Sequence, residues 1–319
     1  MSSGAAEDAD DTGPRACLAC GARASTVWAT ARDEEYHTGP ESYTFRRCDA
    51  CDVLFIDPVP RDELTRIYPP TYYSVSDGSS SAVYRLKAWL DRRLFRSLVR
   101  RLGGPELRVL DVGGGAGWEL SLIKSIEPRV KLTMVVDIAA GAADAARAAG
   151  HEYFCGRVED FVSEERFDLV LMLNVIEHVD DPHAVLGKIR GLLSLQGVVL
   201  VKTPNYESLD ARLFRHANWG GYHCPRHWVL FNRESFVALA DRAGLSVQRF
   251  QYTQGAPFWA TSLLIGLARH KLIAITTDRP LHTHSLYSLL VPLFAAFDFA
   301  RRPFAKLSQM FVVLERRPT

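Results

Sequence analysis

The sequence predicts an α/β fold in which helices cover both faces of a doubly wound, largely parallel sheet. Residues 108–120 read RVLDVGGGAGWEL, which is a short apolar strand, a glycine-rich turn and the start of a helix. The next apolar strand ends at Asp137, 26 residues after Asp111, which is the length of one βαβ unit. Residues 167–174 form an almost continuous apolar run, as expected of a parallel strand buried on both faces.

The composition is that of an ordinary globular protein with one large domain and a smaller appendage. The chain has 319 residues, of which 47% are hydrophobic and 24% charged. Its net charge of +1 creates no field that would attract a nucleic acid, so no nucleic-acid partner is predicted. The sequence contains no apolar run of 18 residues and no secretory segment after Met1, which predicts a cytoplasmic protein without a membrane span.

Four of the six cysteines form two pairs with the spacing of metal ligands. Cys17 and Cys20 form one CxxC turn, and Cys48 and Cys51 form the second. Two such turns can complete a tetrahedral sulfur site for zinc, and four thiolates leave no open position, so a structural zinc ribbon is predicted. The alternative is a pair of disulfides or four unrelated thiols.

The glycine turn predicts a site for a nucleotide-like cofactor. Glycine tolerates positive φ and allows a ligand to approach the backbone, but the turn alone could also be a tight strand–helix connection. Asp137, at the end of the following strand, could accept both ribose hydroxyls of a nucleoside. A nicotinamide fingerprint would need a third glycine at position 118, and Trp118 at that position argues against NAD.

Three motifs together resemble class I S-adenosylmethionine (SAM) methyltransferases. The first is Asp111-x-Gly113-x-Gly115-x-Gly117, and the second is LNVIEHVDDP at residues 173–182, after the fourth predicted strand. The third is the four-cysteine region followed by Tyr72 and Tyr73, which is similar to the N-terminal region of bacterial sugar and natural-product methyltransferases. The resemblance implies a Rossmann-like, seven-stranded sheet whose antiparallel seventh strand lies at residues 311–316.

The resemblance also implies SAM as the cofactor and suggests the residues that bind it. Asp111 would lie at the methionine ammonium, and Val158 and Glu159 would meet the adenine, although Arg157 replaces the more common aspartate before them. The predicted SAM site consists of Asp111, Gly113, Gly115, Gly117, Trp118, Asp137, Ile138, Val158, Glu159, Asn174 and Glu177.

A loop at residues 219–228, WGGYHCPRHW, contains the candidate general bases. His223 and His227 could each remove an acceptor proton at neutral pH, or could only form a hydrogen bond within a lid. A metal bound to this pair has no obvious third ligand nearby in sequence. His178 is a further candidate base, although in the family the Glu–His pair more often shapes the pocket.

Three tyrosines are the candidate substrate residues. Tyr72 and Tyr73 either line the pocket or pack the ribbon against the main domain, and Tyr222 lies in the histidine loop.

The predicted organisation has five parts. They are a disordered tail (1–13), a zinc-ribbon-like domain (14–60), an aromatic linker and helix (61–105), a SAM-binding domain (106–255) and C-terminal apolar helices with a last strand (256–319). The C-terminal helices could form a lid, a homodimer surface or a peripheral membrane contact.

The predicted activity is SN2 transfer of the SAM methyl group to an oxygen or carbon of a small molecule, which is a sugar, a glycoside or another secondary metabolite. The alternative is a non-catalytic scaffold protein that combines a zinc ribbon with a Rossmann domain.

Overall fold

The computed structural model of the protein describes residues 15–69, 72 and 82–317. The predicted tail and Tyr73 lie outside the described residues. The described strands are, in chain order, β1 (Ser25–Arg32), β2 (Ser42–Cys48), β3 (Leu54–Asp57), β4 (Leu107–Val112), β5 (Val130–Asp137), β6 (Glu152–Cys155), β7 (Phe167–Leu173), β8 (Leu193–Pro204), β9 (Val229–Leu230), β10 (Leu245–Thr253) and β11 (Gln309–Arg316). The described α-helices are α1 (Leu64–Ile67), α2 (Ala82–Val99), α3 (Trp118–Ile126), α4 (Ala143–Ala148), α5 (Pro182–Leu192), α6 (Leu209–Leu213), α7 (Arg233–Arg242), α8 (Ala256–Arg269) and α9 (Ser285–Arg301).

Seven of the described strands form the larger sheet, in the order β10-β11-β8-β7-β4-β5-β6. β4 pairs in parallel with β5 and β7, and the parallel ladder continues to β6 and β8. β11 lies antiparallel between β8 and β10. The predicted doubly wound, seven-stranded α/β fold with an antiparallel last strand is therefore confirmed.

Both faces of this sheet are buried, which explains the nearly continuous apolar runs of its central strands. Leu110 and Val112 of β4 belong to one core, which also contains residues of α5, α7 and the N-terminal strands. Leu107 and Val109 point to the opposite face and pack with α2 and α3. The carboxyl ends of the parallel strands remain available at one edge, where open α/β sheets bind ligands.

The smaller sheet combines the N-terminal strands with a strand from much later in the chain. Its order is β1-β2-β3-β9, and β9 pairs with β3 through Leu54 with Leu230 and Phe55 with Val229. β9 directly follows the predicted histidine loop. The pairing therefore joins that loop to the cysteine-containing segment.

The C-terminal helices α8 and α9 pack against each other, with Trp259 stacked on Phe294 at a ring-centroid distance of 5.2 Å. Leu289, Leu293 and Phe297 of α9 are exposed, and Phe297 also packs edge-on against Trp259 with ring centroids 5.6 Å apart. That a second copy or a membrane covers these exposed side chains stays a prediction. In the described part of the chain, no helix is long and apolar enough to cross a bilayer.

Candidate active site

The glycine turn lies at the carboxyl end of β4. Gly113, Gly115 and Gly117 have φ angles of 74°, 51° and 79°, in the left-handed region that glycine adopts without a steric penalty. A Cβ at Gly113 would overlap Val175, and one at Gly117 would overlap His151. A Cβ at Gly115 would meet nothing within 4 Å, so this glycine borders open space. The turn therefore packs closely on two sides and leaves its middle accessible.

Asp111 lies below this turn with its side chain buried. Its Oδ2 atom has no hydrogen-bond partner among the described residues. Burial, together with the charges of Glu119 and Asp137, raises the pKa of Asp111 well above its usual value of 3.8. A buried carboxyl group without compensation would bind a cation favourably, which fits the ammonium group of the SAM methionine.

Asp137 is held by backbone amides at the end of β5. Its Oδ2 accepts a hydrogen bond from the Gly115 N–H at 2.8 Å, and its Oδ1 accepts one from the Ala139 N–H at 2.8 Å. Each carboxylate oxygen can accept a further hydrogen bond. The carboxylate is therefore oriented beside the accessible part of the turn, where a ribose would present its hydroxyls.

The other predicted cofactor residues follow the same edge of the sheet. Trp118 begins α3, with the Lys87 Nζ 4.1 Å from its ring centroid, and Ile138, directly after β5, is 59% exposed. Val158 is buried after β6, next to the half-buried Glu159. Asn174, directly after β7, has a φ of 57°, a conformation that is uncommon outside functional sites and turns. The sheet order β7-β4-β5-β6 places these segments next to one another.

The histidine loop is fixed by contacts on three sides. The Trp228 N–H donates to the Glu177 backbone carbonyl at 2.7 Å, and the Ile56 N–H of β3 donates to the Trp228 carbonyl at 2.9 Å. On the third side, the Gly220 N–H donates to the Ser262 hydroxyl of α8 at 2.8 Å. The loop therefore connects the larger sheet, the smaller sheet and the C-terminal helices.

His223 forms a pair with a carboxylate from the N-terminal segment. Its Nδ1 lies 3.0 Å from Oε1 of Glu35, and its Nε2 lies 3.3 Å from the Tyr72 hydroxyl. The Glu35 and His223 side chains are 14% and 5% exposed. A carboxylate at Nδ1 favours the tautomer that has its proton on Nδ1 and a lone pair on Nε2.

His178 and His227 have a different environment, because the Nδ1 of each lies next to a backbone carbonyl. The distances are 2.9 Å from His178 to the Arg226 carbonyl and 2.8 Å from His227 to the Gly221 carbonyl. Burial and the neighbouring histidine charges lower the pKa of His178 to about 3 and that of His227 well below 6.5. Both rings are therefore neutral at physiological pH.

Glu177 lies between these rings and the core of the sheet. Its Oε2 accepts a hydrogen bond from the Thr203 hydroxyl at 3.0 Å. Its Oε1, which lies 3.9 Å from the His227 Nε2, has no hydrogen-bond partner in the described part of the structure. Complete burial raises the pKa of Glu177 to about 8. The predicted cofactor residue Glu177 is thus next to the predicted bases His178 and His227.

Tyr72 and Tyr222, two of the candidate substrate residues, lie in different environments. Tyr72 packs edge-on against Tyr68, with ring centroids 5.0 Å apart, and reaches His223. Tyr222 is buried, stacks on Phe45 at 4.4 Å and donates its hydroxyl to the backbone carbonyl of Arg215. This packing favours a structural role for Tyr222, and its role in substrate binding stays a prediction.

Sequence reasoning missed several groups at this site, including Glu35, Tyr36 and the buried ion pair between Arg226 and Asp33. The Arg226 Nη2 donates to Asp33 at 2.8 Å, its Nε donates to the Ile67 carbonyl at 2.6 Å, and its guanidinium lies 4.4 Å from the Tyr36 ring centroid. Burial opposes the charge of Asp33, but Arg226 lowers its pKa below 3.8 overall. No local motif marks these residues, because their partners are distant in sequence.

The four paired cysteines converge on one point. The Sγ atoms of Cys17 and Cys51 lie 3.7 Å apart, and those of Cys20 and Cys48 lie 3.6 Å apart. A tetrahedral zinc ion with bonds of about 2.3 Å requires sulfur atoms about 3.8 Å apart, so the cluster fits zinc. Burial raises the pKa of the Cys48 thiol, and hydrogen bonding to Cys17 together with burial raises that of Cys51.

Comparison with known proteins agrees with this architecture. The sequence profile described as "Methyltransferase domain" matches residues 86–249. A ubiquinone biosynthesis O-methyltransferase of Rhodopseudomonas palustris (strain BisB5) is 38% identical over 108 residues, which is 31% of this chain and 40% of the relative. The enzyme of the same name from Bradyrhizobium sp. (strain ORS 278) is 36% identical, with the same coverage. The chain thus spans about two fifths of the length of these curated relatives.

A solved structure has a similar fold. It is a proposed sarcosine dimethylglycine methyltransferase from Galdieria sulphuraria, with 13% sequence identity and a TM-score of 0.50. The match covers 73% of this chain and 88% of that chain.

The fold is that of a class I SAM-dependent methyltransferase, and SAM is the cofactor of this class. The chain belongs to the methyltransferase domain family, because the family's profile matches more than half of it. The predicted membership of the class I SAM-dependent methyltransferases is thereby confirmed.

Proposed function

We propose that this protein transfers the methyl group of SAM to a hydroxyl oxygen of a small molecule, with His223 as the general base. The observation that carries this proposal is the 3.0 Å contact between the His223 Nδ1 and the Glu35 carboxylate, with the His223 Nε2 near Tyr72. The relatives named as O-methyltransferases support oxygen as the acceptor atom.

In this proposal Asp111 and Asp137 hold the cofactor. The Asp111 Oδ2, for which the described residues provide no hydrogen-bond partner, receives the methionine ammonium, and the Asp137 carboxylate accepts hydrogen bonds from the ribose hydroxyls. Gly115 leaves room for the cofactor to approach the backbone. When bound, SAM supplies an electrophilic methyl group on a sulfonium, and the protein must align an acceptor oxygen with it.

His223 would accept the proton of the acceptor hydroxyl at Nε2. Glu35 holds the Nδ1 proton and stabilises the positive charge that develops on the ring. His178 and His227 are less suitable as bases, because burial lowers the pKa of both rings. Among the three candidate bases, His223 is therefore favoured, because its Nδ1 lies within hydrogen-bond distance of the Glu35 carboxylate.

Aromatic side chains suggest the shape of the acceptor. The rings of Tyr36 and Tyr68 lie 5.6 Å and 5.0 Å from the ring of Tyr72, next to His223. Such walls stack against the flat or apolar face of a ring. We therefore propose a ring-containing acceptor, such as a glycoside, a sugar or an aromatic secondary metabolite.

We also propose that Cys17, Cys20, Cys48 and Cys51 bind a structural zinc ion. The sulfur spacing supports this role, and four thiolates leave no coordination position for a substrate. The ion would stabilise the smaller sheet, to which β9 and hence the histidine loop are attached.

His223→Gln and Glu35→Gln test the proposed base. We expect His223→Gln to lower kcat about 10²- to 10⁴-fold, as for loss of a general base, and Glu35→Gln to lower it less. Both variants should bind S-adenosylhomocysteine as the wild type does in calorimetric titration. His216→Gln, an exposed histidine nearby in the chain, is the matched control and should retain full turnover.

Turnover is measured with a panel of phenols, glycosides and sugars as acceptors. Full activity of His223→Gln would show that His223 is not the general base. A folded wild type that binds neither S-adenosylhomocysteine nor NADH would instead favour the scaffold alternative, and binding of NADH alone would favour an oxidoreductase.

A further inference from the structure

We propose that Glu177, His178 and His227 bind one divalent transition-metal ion at a site separate from the four cysteines. One potential donor atom of each residue lies within 4.8 Å of the other two. Two of the ligands come from the turn after β7, and the third comes from the histidine loop 50 residues later. The ion's part in the reaction rests on the proposed function, but its binding does not.

The hydrogen bonds of the two imidazole rings favour a tautomer that suits metal ligands. Nδ1 of each can donate a proton to a backbone carbonyl, from His178 to Arg226 and from His227 to Gly221. That arrangement leaves Nε2 of each ring with its lone pair. Histidines that bind metals commonly have this second hydrogen bond, because it fixes the tautomer and the orientation of the ring.

An independent observation comes from Glu177. Its side chain is completely buried, and within the described residues its Oε1 lacks a hydrogen-bond partner. Thr203 binds the other oxygen and so holds Oε1 towards the His227 Nε2, 3.9 Å away. A buried carboxylate without a partner is costly, and a bound cation would compensate both its charge and its missing contact.

The donor set indicates the class of ion. Two imidazole nitrogens and one carboxylate oxygen suit Zn²⁺ or Fe²⁺ better than Mg²⁺ or Ca²⁺, which prefer oxygen ligands. Zinc ligands about 2.1 Å from the ion lie about 3.4 Å from one another, so donor atoms that lie within 4.8 Å must approach by at most about 1.4 Å. Three protein ligands leave at least one coordination position open.

The open position has a use in the proposed reaction. The hydroxyl of Tyr68, whose ring packs against Tyr72, lies 3.0 Å from the Nδ1 of His178. The ring centroid of His223 lies 5.0 Å from that of His227. An acceptor hydroxyl bound to the ion would be more acidic and would lie close to the proposed base.

Metal stoichiometry of the full-length protein tests the site directly. After chelation and titration with Zn²⁺, the wild type should bind two ions, as measured by elemental analysis of the desalted protein. Glu177→Gln, which keeps the size of the side chain, should bind one ion, and Cys20→Ser should also lose one. Asp298→Asn changes a buried carboxyl group outside the cluster and should retain two ions.

Titration of the wild type with Co²⁺ provides a test that needs no variant. The cysteine site should give an intense sulfur-to-cobalt absorption, and a second equivalent should add only weak visible bands. A single equivalent in the wild type, or two in a folded Glu177→Gln, would overturn the proposal. Parallel titration with S-adenosylhomocysteine separates this outcome from failure of the proposed function, because cofactor binding requires Asp111 and Asp137 rather than the ion.

Discussion

Three buried carboxyl groups near the site differ in what compensates their charge. Asp33 has Arg226 beside it and a lowered pKa, whereas Asp111 and Glu177 have raised pKa values, and one buried oxygen of each lacks a hydrogen-bond partner among the described residues. A compensated pair stabilises the fold, but an uncompensated carboxyl group costs free energy until a cation binds. At the scale of single residues, buried carboxyl groups with an oxygen that lacks a hydrogen-bond partner therefore indicate where ligands bind.

Asp111→Asn should therefore separate stability from cofactor binding. Because the folded state raises the pKa of Asp111, it binds a proton that the unfolded state releases, and stability falls as the pH rises above about 3.8. Asp111→Asn removes this loss, so without ligand the variant should be more stable than the wild type at pH 8. The difference should be smaller at pH 5. Thermal unfolding at both pH values measures it.

The same variant should bind S-adenosylhomocysteine more weakly, by about 1.5–3 kcal/mol, because a charged acceptor for the ammonium is lost. Asp144→Asn, an exposed carboxylate on α4, should change neither property. Unchanged affinity in Asp111→Asn would place the ammonium elsewhere.

At the scale of elements, the segment after β1 holds the histidine loop in place. Asp33 binds Arg226, Glu35 binds His223, and the Glu35 backbone carbonyl also accepts the Leu281 N–H. The loop is further fixed by β9, which pairs with β3. A short N-terminal segment therefore determines the position of the proposed base.

Asp33→Asn should lower the free energy of unfolding by about 3–5 kcal/mol, because it leaves the guanidinium of Arg226 buried without a counter-charge. Glu34→Gln is the matched control, since Glu34 pairs with the 42% exposed Arg269 and should contribute less than about 1 kcal/mol. Urea unfolding of both variants gives the comparison. An equal decrease in the free energy of unfolding of both variants would show that the buried ion pair contributes no more to stability than the exposed one.

At the scale of the whole molecule, the smaller sheet couples the cysteine cluster to the active site. β2 and β3 flank the second CxxC turn, and β9 brings in the end of the histidine loop. The glycine turn instead follows β4 and Asp137 ends β5, and both strands belong to the larger sheet. Loss of the ion from the cysteine cluster should therefore affect turnover of the acceptor more than binding of the cofactor.

Removal of zinc should lower turnover but preserve cofactor binding. After chelation, or in Cys48→Ser, we expect at least a tenfold loss of kcat with S-adenosylhomocysteine affinity within about twofold of the wild type, because small zinc domains depend on their metal. Activity assays and calorimetry on the same samples measure both quantities. Since a chelator also removes an ion from Glu177, His178 and His227, Cys48→Ser is the more specific test. Full turnover in that variant, with its zinc lost, would contradict the coupling.

Local sequence patterns determined the larger sheet and the cofactor side of the site. The glycine turn, Asp111, Asp137 and the segment after β7 each follow a strand directly, so chain order and the parallel sheet place them at one edge. The two CxxC turns likewise indicated one cluster. In these cases the residues that cooperate are close in sequence or lie at equivalent ends of neighbouring strands.

Only the tertiary structure showed which residues meet on the acceptor side of the proposed active site. Glu35 and His223 are separated by 188 residues, Asp33 and Arg226 by 193, and no periodicity or spacing relates the members of either pair. The sequence alone left His223 and His227 equivalent as bases, and left the possible metal pair without a third ligand. Their environments differ because the pairing of β9 with β3 places one ring against a carboxylate and the other against a backbone carbonyl and Glu177. The physical reason is that burial and charge depend on contacts between distant segments, which form only when the chain folds.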